Sequence, residues 1–327
     1  MVIVRAFALV AVGVLATHAP GAPSEPTPVW IDTDPALGEP DRDVDDGFAL
    51  VQAFHSPELA IRGVLVVFGN APLHRGLPIA ERLVREFGPA GLRVVPGAAS
   101  AEALGVATPA SRAMADALGR DRLTILALGP ATNVATLLKH HPDLAPRIIR
   151  IVAVAGRRLG QRFTTGTTNQ KGHRDFNFEL DPDAFRVLLS GGVPLVLAPF
   201  EMSSQIWIEN GDLDRLDAGG PAARALIPPA RRWLALWTRL FHASGFNPFD
   251  ALAVGYAAVP GGFGCETLPV EIQTLLDDVT EPGIQGVRVE SKPYLLVSTT
   301  CTVSARALYC SSAPARFKQD LLERLAR

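Results

Sequence analysis

Seven acidic residues fall within the stretch WIDTDPALGEPDRDVDDGFAL, and four of them, Asp32, Asp34, Asp45 and Asp46, bracket a loop that contains Pro and Gly. Carboxylates held this close repel by about 1 kcal/mol per near pair in water, and by more in a partly dry cleft. A bound hard cation would offset that repulsion, so the residue types point to a metal-holding loop.

Other readings of the same residues are weaker. Asp41, Asp43, Asp45 and Gly47 imitate a calcium-binding helix-loop-helix loop, but its sixth position is Asp46 rather than Gly and its twelfth is Gln52 rather than Glu. The Asp32-Thr33-Asp34 pair imitates the aspartyl-phosphate phosphatases, yet Ala36 stands where a hydroxyl residue is needed. A solvated acidic loop that only caps a helix is the plainest alternative. Zinc is disfavoured, because His74, His140, His141, His173 and His242 are scattered without Cys/His ligand spacing. Ser203-Ser204 lacks the setting of a nucleophile elbow.

The elements that must position these side chains are legible. VWIDTD reads as a strand, its apolar Val29-Trp30-Ile31 run suiting a buried parallel sheet and Pro35 ending it. Gly47 to Phe54 reads as helix, with Asp45 and Asp46 at its N-terminal end, where the helix dipole tolerates negative charge. Oxygen ligands then stand at the carboxyl edge of a sheet, the place where open α/β folds bind ligands. Strand-like runs recur at Arg62 to Phe68, Leu123 to Leu128, Ile148 to Ala155 and Pro194 to Pro199. Helix-like segments such as Pro78 to Phe87 and Ala131 to Lys139 alternate with them. This alternation implies a single α/β domain, a doubly wound, mostly parallel sheet with helices on both faces. With 327 residues, 48% of them hydrophobic, one such domain buries a sizeable core. A net charge of −2 without any Lys/Arg block removes the electrostatic basis for nucleic-acid binding.

In these features the chain resembles the inosine-uridine nucleoside hydrolase family, whose mark is a strand ending Asp-x-Asp-Pro, a short loop, then Asp-Asp opening a helix. Asp32-Thr33-Asp34-Pro35 and Asp45-Asp46 match, with a longer loop, Ala36 to Val44, between them. Four further segments match in the family's order. They are VVFGN ending at Asn70, LALGPATN from Leu126 to Asn133, NQKGHRDFNFELDPDAF from Asn169, and NPFDALAVGY containing Asp250. The likeness runs over roughly residues 28 to 260.

By position, the resemblance implies that Asp34 is the general base and touches the metal. It also implies that Asp46 and Asp250 are carboxylate ligands, and that the main-chain carbonyl of Leu128 is the remaining protein ligand. Such an all-oxygen set suits Ca2+. Asp45, Asn169, Asp175 and Asn177 match positions that hold the ribose hydroxyls, Asp175 replacing the usual Glu, and Asn70 matches a further substrate-site position. The implied activity is calcium-dependent hydrolysis of the N-glycosidic bond of ribonucleosides through an oxocarbenium-like transition state, with a water deprotonated by Asp34. Family members are commonly dimers or tetramers, so a homo-oligomer is implied too.

One departure bears on the mechanism. Many family members carry a His directly before the last metal-binding Asp, a candidate acid for the leaving base, and here Phe249 precedes Asp250. Either another donor replaces it, or the bases taken leave easily or are activated by stacking. His242, eight residues before Asp250, is such a donor or a surface or helix-capping residue. Trp233, Trp237, Phe241 and Phe246 have some helical spacing and form either an aromatic wall for the nucleobase or part of the core. Asp181, followed by Pro182, reads as a helix cap.

Ahead of the domain, Arg5, the apolar run Ala6 to Ala16 and HAPGAPSEPTP have the order of a signal peptide. The expected division is 1–22 signal peptide, 23–29 Pro-rich spacer and 30–327 catalytic domain, with export to the periplasm or medium and no stable membrane partner. Cys301 and Cys310 flank a strand-turn-strand pattern and would bridge if those strands pair, leaving Cys265 over; three free thiols are the alternative. An exported nucleoside- or sugar-binding protein with weak or lost catalysis is the second functional class, motivated by Phe249 and the lengthened acidic loop. Ribose release separates the two.

Overall fold

In the computed structural model, which describes residues 25–165, 172–279, 290–300 and 302–327, the first strand, β1 (Thr27–Thr33), shows how the domain is layered. Val29 and Ile31 point into one hydrophobic core and Trp30 into another, as the two-residue side-chain period of a strand requires. β1 begins at Thr27, so the strand takes in the last residues of the expected spacer. The expected signal peptide, Asn169 and Cys301 lie outside the described residues.

Eleven further strands follow among the described residues: β2 (Leu59–Val66), β3 (Val94–Pro96), β4 (Leu123–Ala127), β5 (Ile148–Ala153), β6 (Arg157–Arg158), β7 (Leu195–Leu197), β8 (Ile208–Glu209), β9 (Gly245–Phe246), β10 (Gly264–Leu276), β11 (Ser291–Val297) and β12 (Arg306–Ser312). Nine of them form one sheet with β1, in the order β3-β2-β1-β4-β5-β7-β12-β10-β11-β6, and β8 pairs with β9 in a separate two-stranded ribbon. From β3 to β12 every neighbouring pair is parallel; β10 then runs antiparallel to both β12 and β11. The expected mostly parallel, doubly wound sheet is therefore present. On one face pack the helices Asp45–Phe54, Pro221–Phe241, Phe249–Ala258 and Phe317–Leu325. On the other lie Pro109–Arg120, Thr132–His140 and Pro182–Ser190.

The cysteine pairing differs from expectation. Cys265 and Cys310 stand opposite one another in the β10–β12 register and are joined by a disulfide, their Cα atoms 4.0 Å apart. The strands flanking residue 300 do not pair with each other, because β10 lies between β11 and β12 in the sheet. Nearness in sequence suggested Cys301 as the partner; the inserted strand supplies Cys265 instead.

Candidate active site

β1 is the point at which the sheet's strand order reverses: β2 lies on one side of it and β4 on the other. Crossovers to opposite faces leave a crevice beyond the carboxyl ends of β1 and β4, where side chains meet without being covered by a connection. Asp34 follows β1, Leu128 follows β4, and the helix Asp45–Phe54 starts beside them. The fourth contributor comes from far along the chain, Asp250 in the first turn of the helix Phe249–Ala258.

These groups converge. Ligand oxygens of Asp45, Asp46 and Asp250 lie within 4.8 Å of one another, all three residues being buried. Asp46 is fixed by hydrogen bonds from the Thr33 hydroxyl, from the Asp34 N–H at 3.0 Å and from Asn70 Nδ2 at 3.3 Å. Asp45 Oδ2 accepts from the Asp250 N–H at 3.4 Å, a contact across 205 residues. Asp34 Oδ2 accepts from the Asn70 N–H at 2.6 Å. Asn70 thus ties Asp34 to Asp46. The Asp34 carboxylate also fits between two glycines: a Cβ on Gly69 would come 1.9 Å from Oδ2, and one on Gly129 2.8 Å from Oδ1. Only residues without side chains leave that space.

The residues fit a hard cation. Burial and then the charge of Asp46 push the Asp34 carboxyl well above its usual range; burial and neighbouring carboxylates do the same for Asp45 and Asp250. Asp34 Oδ1 and Asp32 Oδ2 are buried without hydrogen-bond partners. Each such acceptor costs about 1–3 kcal/mol left alone. A cation among these oxygens offsets both the repulsion and the lost hydration.

Leu128 O accepts a 2.6 Å hydrogen bond from Asn177 Nδ2, which also donates to Val154 O at 3.2 Å. Asn177 therefore orients the Leu128 carbonyl, whose second lone pair stays available, and keeps its own side-chain oxygen for a ligand. Asp175 is buried, with Oδ2 accepting from the Gly156 N–H at 2.8 Å. Burial raises its pKa to about 7 against the opposing pull of Arg157. Arg157 is itself only 2% exposed, ion-paired to Asp278 and stacked on Phe163 and Tyr294. Asp181 lies away from the site, capping Pro182–Ser190 through the Ala184 N–H. Asp32 is held by Asn133 Nδ2 at 2.8 Å, and burial raises its pKa to about 7.

Above the carboxylates opens a cleft of about 460 Å³ whose lining includes Asp45, Asn70, Leu128, Asp175, Asn177 and Asp250. That volume suits a small molecule. One wall is aromatic. Trp233, Trp237, Phe241 and Phe249 line it, as do Phe163 and Phe200, stacked with centroids 4.7 Å apart. Phe246 does not take part: it is fully buried and packs edge-on against Phe48, in the core. His242 is exposed and forms the C-cap of Pro221–Phe241. His173, Phe163 and Phe200 are among the lining residues that sequence reasoning missed. For His173 a signal existed, two positions ahead of Asp175 in a matched segment; the Phe163–Phe200 stack joins two segments that share no periodicity.

A mostly parallel sheet with buried carboxylates and an aromatic-walled cleft at its switch point defines a hydrolase acting on N-glycosyl compounds once the chain's relatives are considered. The profile of the inosine-uridine preferring nucleoside hydrolase family matches residues 29–292, and the chain belongs to that family. The pyrimidine-specific ribonucleoside hydrolase RihB of Escherichia coli O139:H28 is 25% identical over 295 residues, covering 78% of this chain and 90% of the relative. A plant nucleoside hydrolase has the same fold, with a TM-score of 0.73 at 20% identity over 92% of this chain and 99% of that one. A purine-preferring ribonucleoside hydrolase from Gardnerella vaginalis superposes with a TM-score of 0.70 at 20% identity, over 92% and 98% of the two chains.

Proposed function

We propose that the protein hydrolyses the N-glycosidic bond of ribonucleosides in a calcium-dependent reaction, releasing ribose and free nucleobase. The convergence of Asp45, Asp46 and Asp250 beside Asp34, with Asp45 and Asp250 lining one cleft, carries this reading. Asp34, Asp46, Asp250 and the Leu128 carbonyl would hold the ion, with Asp45 close enough to join them. When bound, Ca2+ supplies positive charge that draws sugar hydroxyls and water into place and makes that water easier to deprotonate. Asp34 takes the water's proton, for which its fixed position suits it. Asp45, Asn70, Asp175 and Asn177, with Asn169 from the same matched segment, hold the ribose hydroxyls. The buried carboxylates stabilise the positive charge that grows on the ring as the C1′–N bond breaks. The aromatic wall receives the base.

The test incubates purified protein with inosine, uridine, cytidine and adenosine, with calcium or with chelator, and assays free ribose. Calcium-dependent ribose release from at least one nucleoside is expected. Nucleoside binding without ribose release would favour a binding protein on this scaffold. We also propose that the protein is exported and works as a homo-oligomer. The Cys265–Cys310 bond supports export, since disulfides persist in oxidising compartments.

A further inference from the structure

Departure of a nucleobase anion needs a proton or a strongly stabilising wall, and Phe249 can offer only the wall. It stands beside Asp250 with its ring 6.0 Å from Phe200 and 6.2 Å from Trp237. One ring further along that wall is an imidazole. His173 lies 6.2 Å from Phe200, near parallel, and 5.0 Å from Phe241, edge to face. It lines the same cleft as Asp45, Asp175 and Asp250.

We propose that His173 is the acid that protonates the departing nucleobase, an inference that rests on the nucleoside hydrolase reading above. Its Nε2 is buried and has no hydrogen-bond partner, so the protein holds this nitrogen ready without satisfying it. Burial lowers the imidazole pKa, which makes the imidazolium a readier donor. Other polar groups on the cleft serve less well. Trp233 Nε1 is also buried and unpartnered, but an indole N–H donates a hydrogen bond and does not release its proton. Asp175 has one oxygen tied to the Gly156 N–H and belongs to the sugar end.

The step balances. The C1′–N bond breaks with its electron pair going to the base nitrogen, which takes the proton from His173; water oxygen bonds to C1′, and its proton goes to Asp34. Solvent then reprotonates His173 and deprotonates Asp34, for a net addition of one water.

The experiment compares wild type with His173→Phe, which keeps a ring in the stack, and His173→Ala. Each is assayed on the nucleoside turned over best and on p-nitrophenyl β-D-ribofuranoside, whose leaving group needs no proton. Nucleoside kcat should fall by about 10²- to 10⁴-fold in both variants, while p-nitrophenyl riboside turnover should stay within about threefold. Equal losses on both substrates would assign His173 to packing, and unchanged nucleoside turnover would remove it from the reaction; either overturns the proposal alone. Wild-type inactivity on both substrates would overturn the nucleoside hydrolase reading and this assignment with it.

Discussion

Asp34 is held by one backbone N–H and hemmed by two glycines, so its position is set by the chain rather than by its own rotamer freedom. Asp34→Asn preserves shape and removes basicity; kcat should drop by about 10²- to 10⁴-fold with little change in Tm, measured by ribose release and thermal unfolding. Gly69→Ala should move the same carboxylate by placing a methyl where its Oδ2 now lies, and kcat should fall without loss of any ionisable group. Asp175 makes a pH prediction. Its folded pKa, about 7, lies above the unfolded value near 3.9, so the folded state binds the proton more tightly. The stability this contributes is complete below about pH 4 and is lost as pH rises through 7, on the order of 4 kcal/mol at most. Asp175→Asn should therefore gain Tm relative to wild type at pH 8 compared with pH 4.5. An unchanged Tm difference between the two pH values would contradict it.

At the scale of elements, the disulfide closes a separation of 45 residues between neighbouring antiparallel strands. Chain-entropy arithmetic gives about 4 kcal/mol for such a loop. Reduction, or Cys265→Ser with Cys310→Ser, should lower Tm while ribose release per folded molecule is retained, since β10 and β12 lie across the sheet from β1 and β4. The same region shows what sequence could not convey. Apolar runs with β-branched residues, closed by Pro or Gly, marked β1, β2, β4, β5 and β7 because parallel strands buried on both faces must be apolar throughout. The order of the C-terminal strands depends on contacts between distant segments, and nothing local in YLLVSTT or VSARALY announces that β10 lies between them. Within the site, Asp34, Asp45 and Asp46 were legible because strand, loop and helix start are contiguous. Asp250 was legible only through resemblance. His173, Phe163 and Phe200 reach the cleft through tertiary packing, and Phe246 shares their residue type yet turns into the core.

At the scale of the molecule, two hydrophobic cores grip the sheet from either side, and the carboxyl ends of its central strands are left to a polar crevice. That arrangement stores several mutually repelling carboxylates inside a rigid frame, and a single cation would reconcile them. Calcium should therefore stabilise the fold as well as enable turnover: at a hundredfold excess over Kd, binding adds about 2.7 kcal/mol, seen as a rise in Tm over chelator-treated protein. No helix among the described residues is long and apolar enough to cross a membrane. The most direct test of the shared-cation claim is calorimetric titration of calcium into chelator-stripped wild type and Asp250→Ala. One ion per chain should bind the wild type, and that binding should vanish when Asp250 is shortened. Undiminished calcium binding by Asp250→Ala would contradict the account.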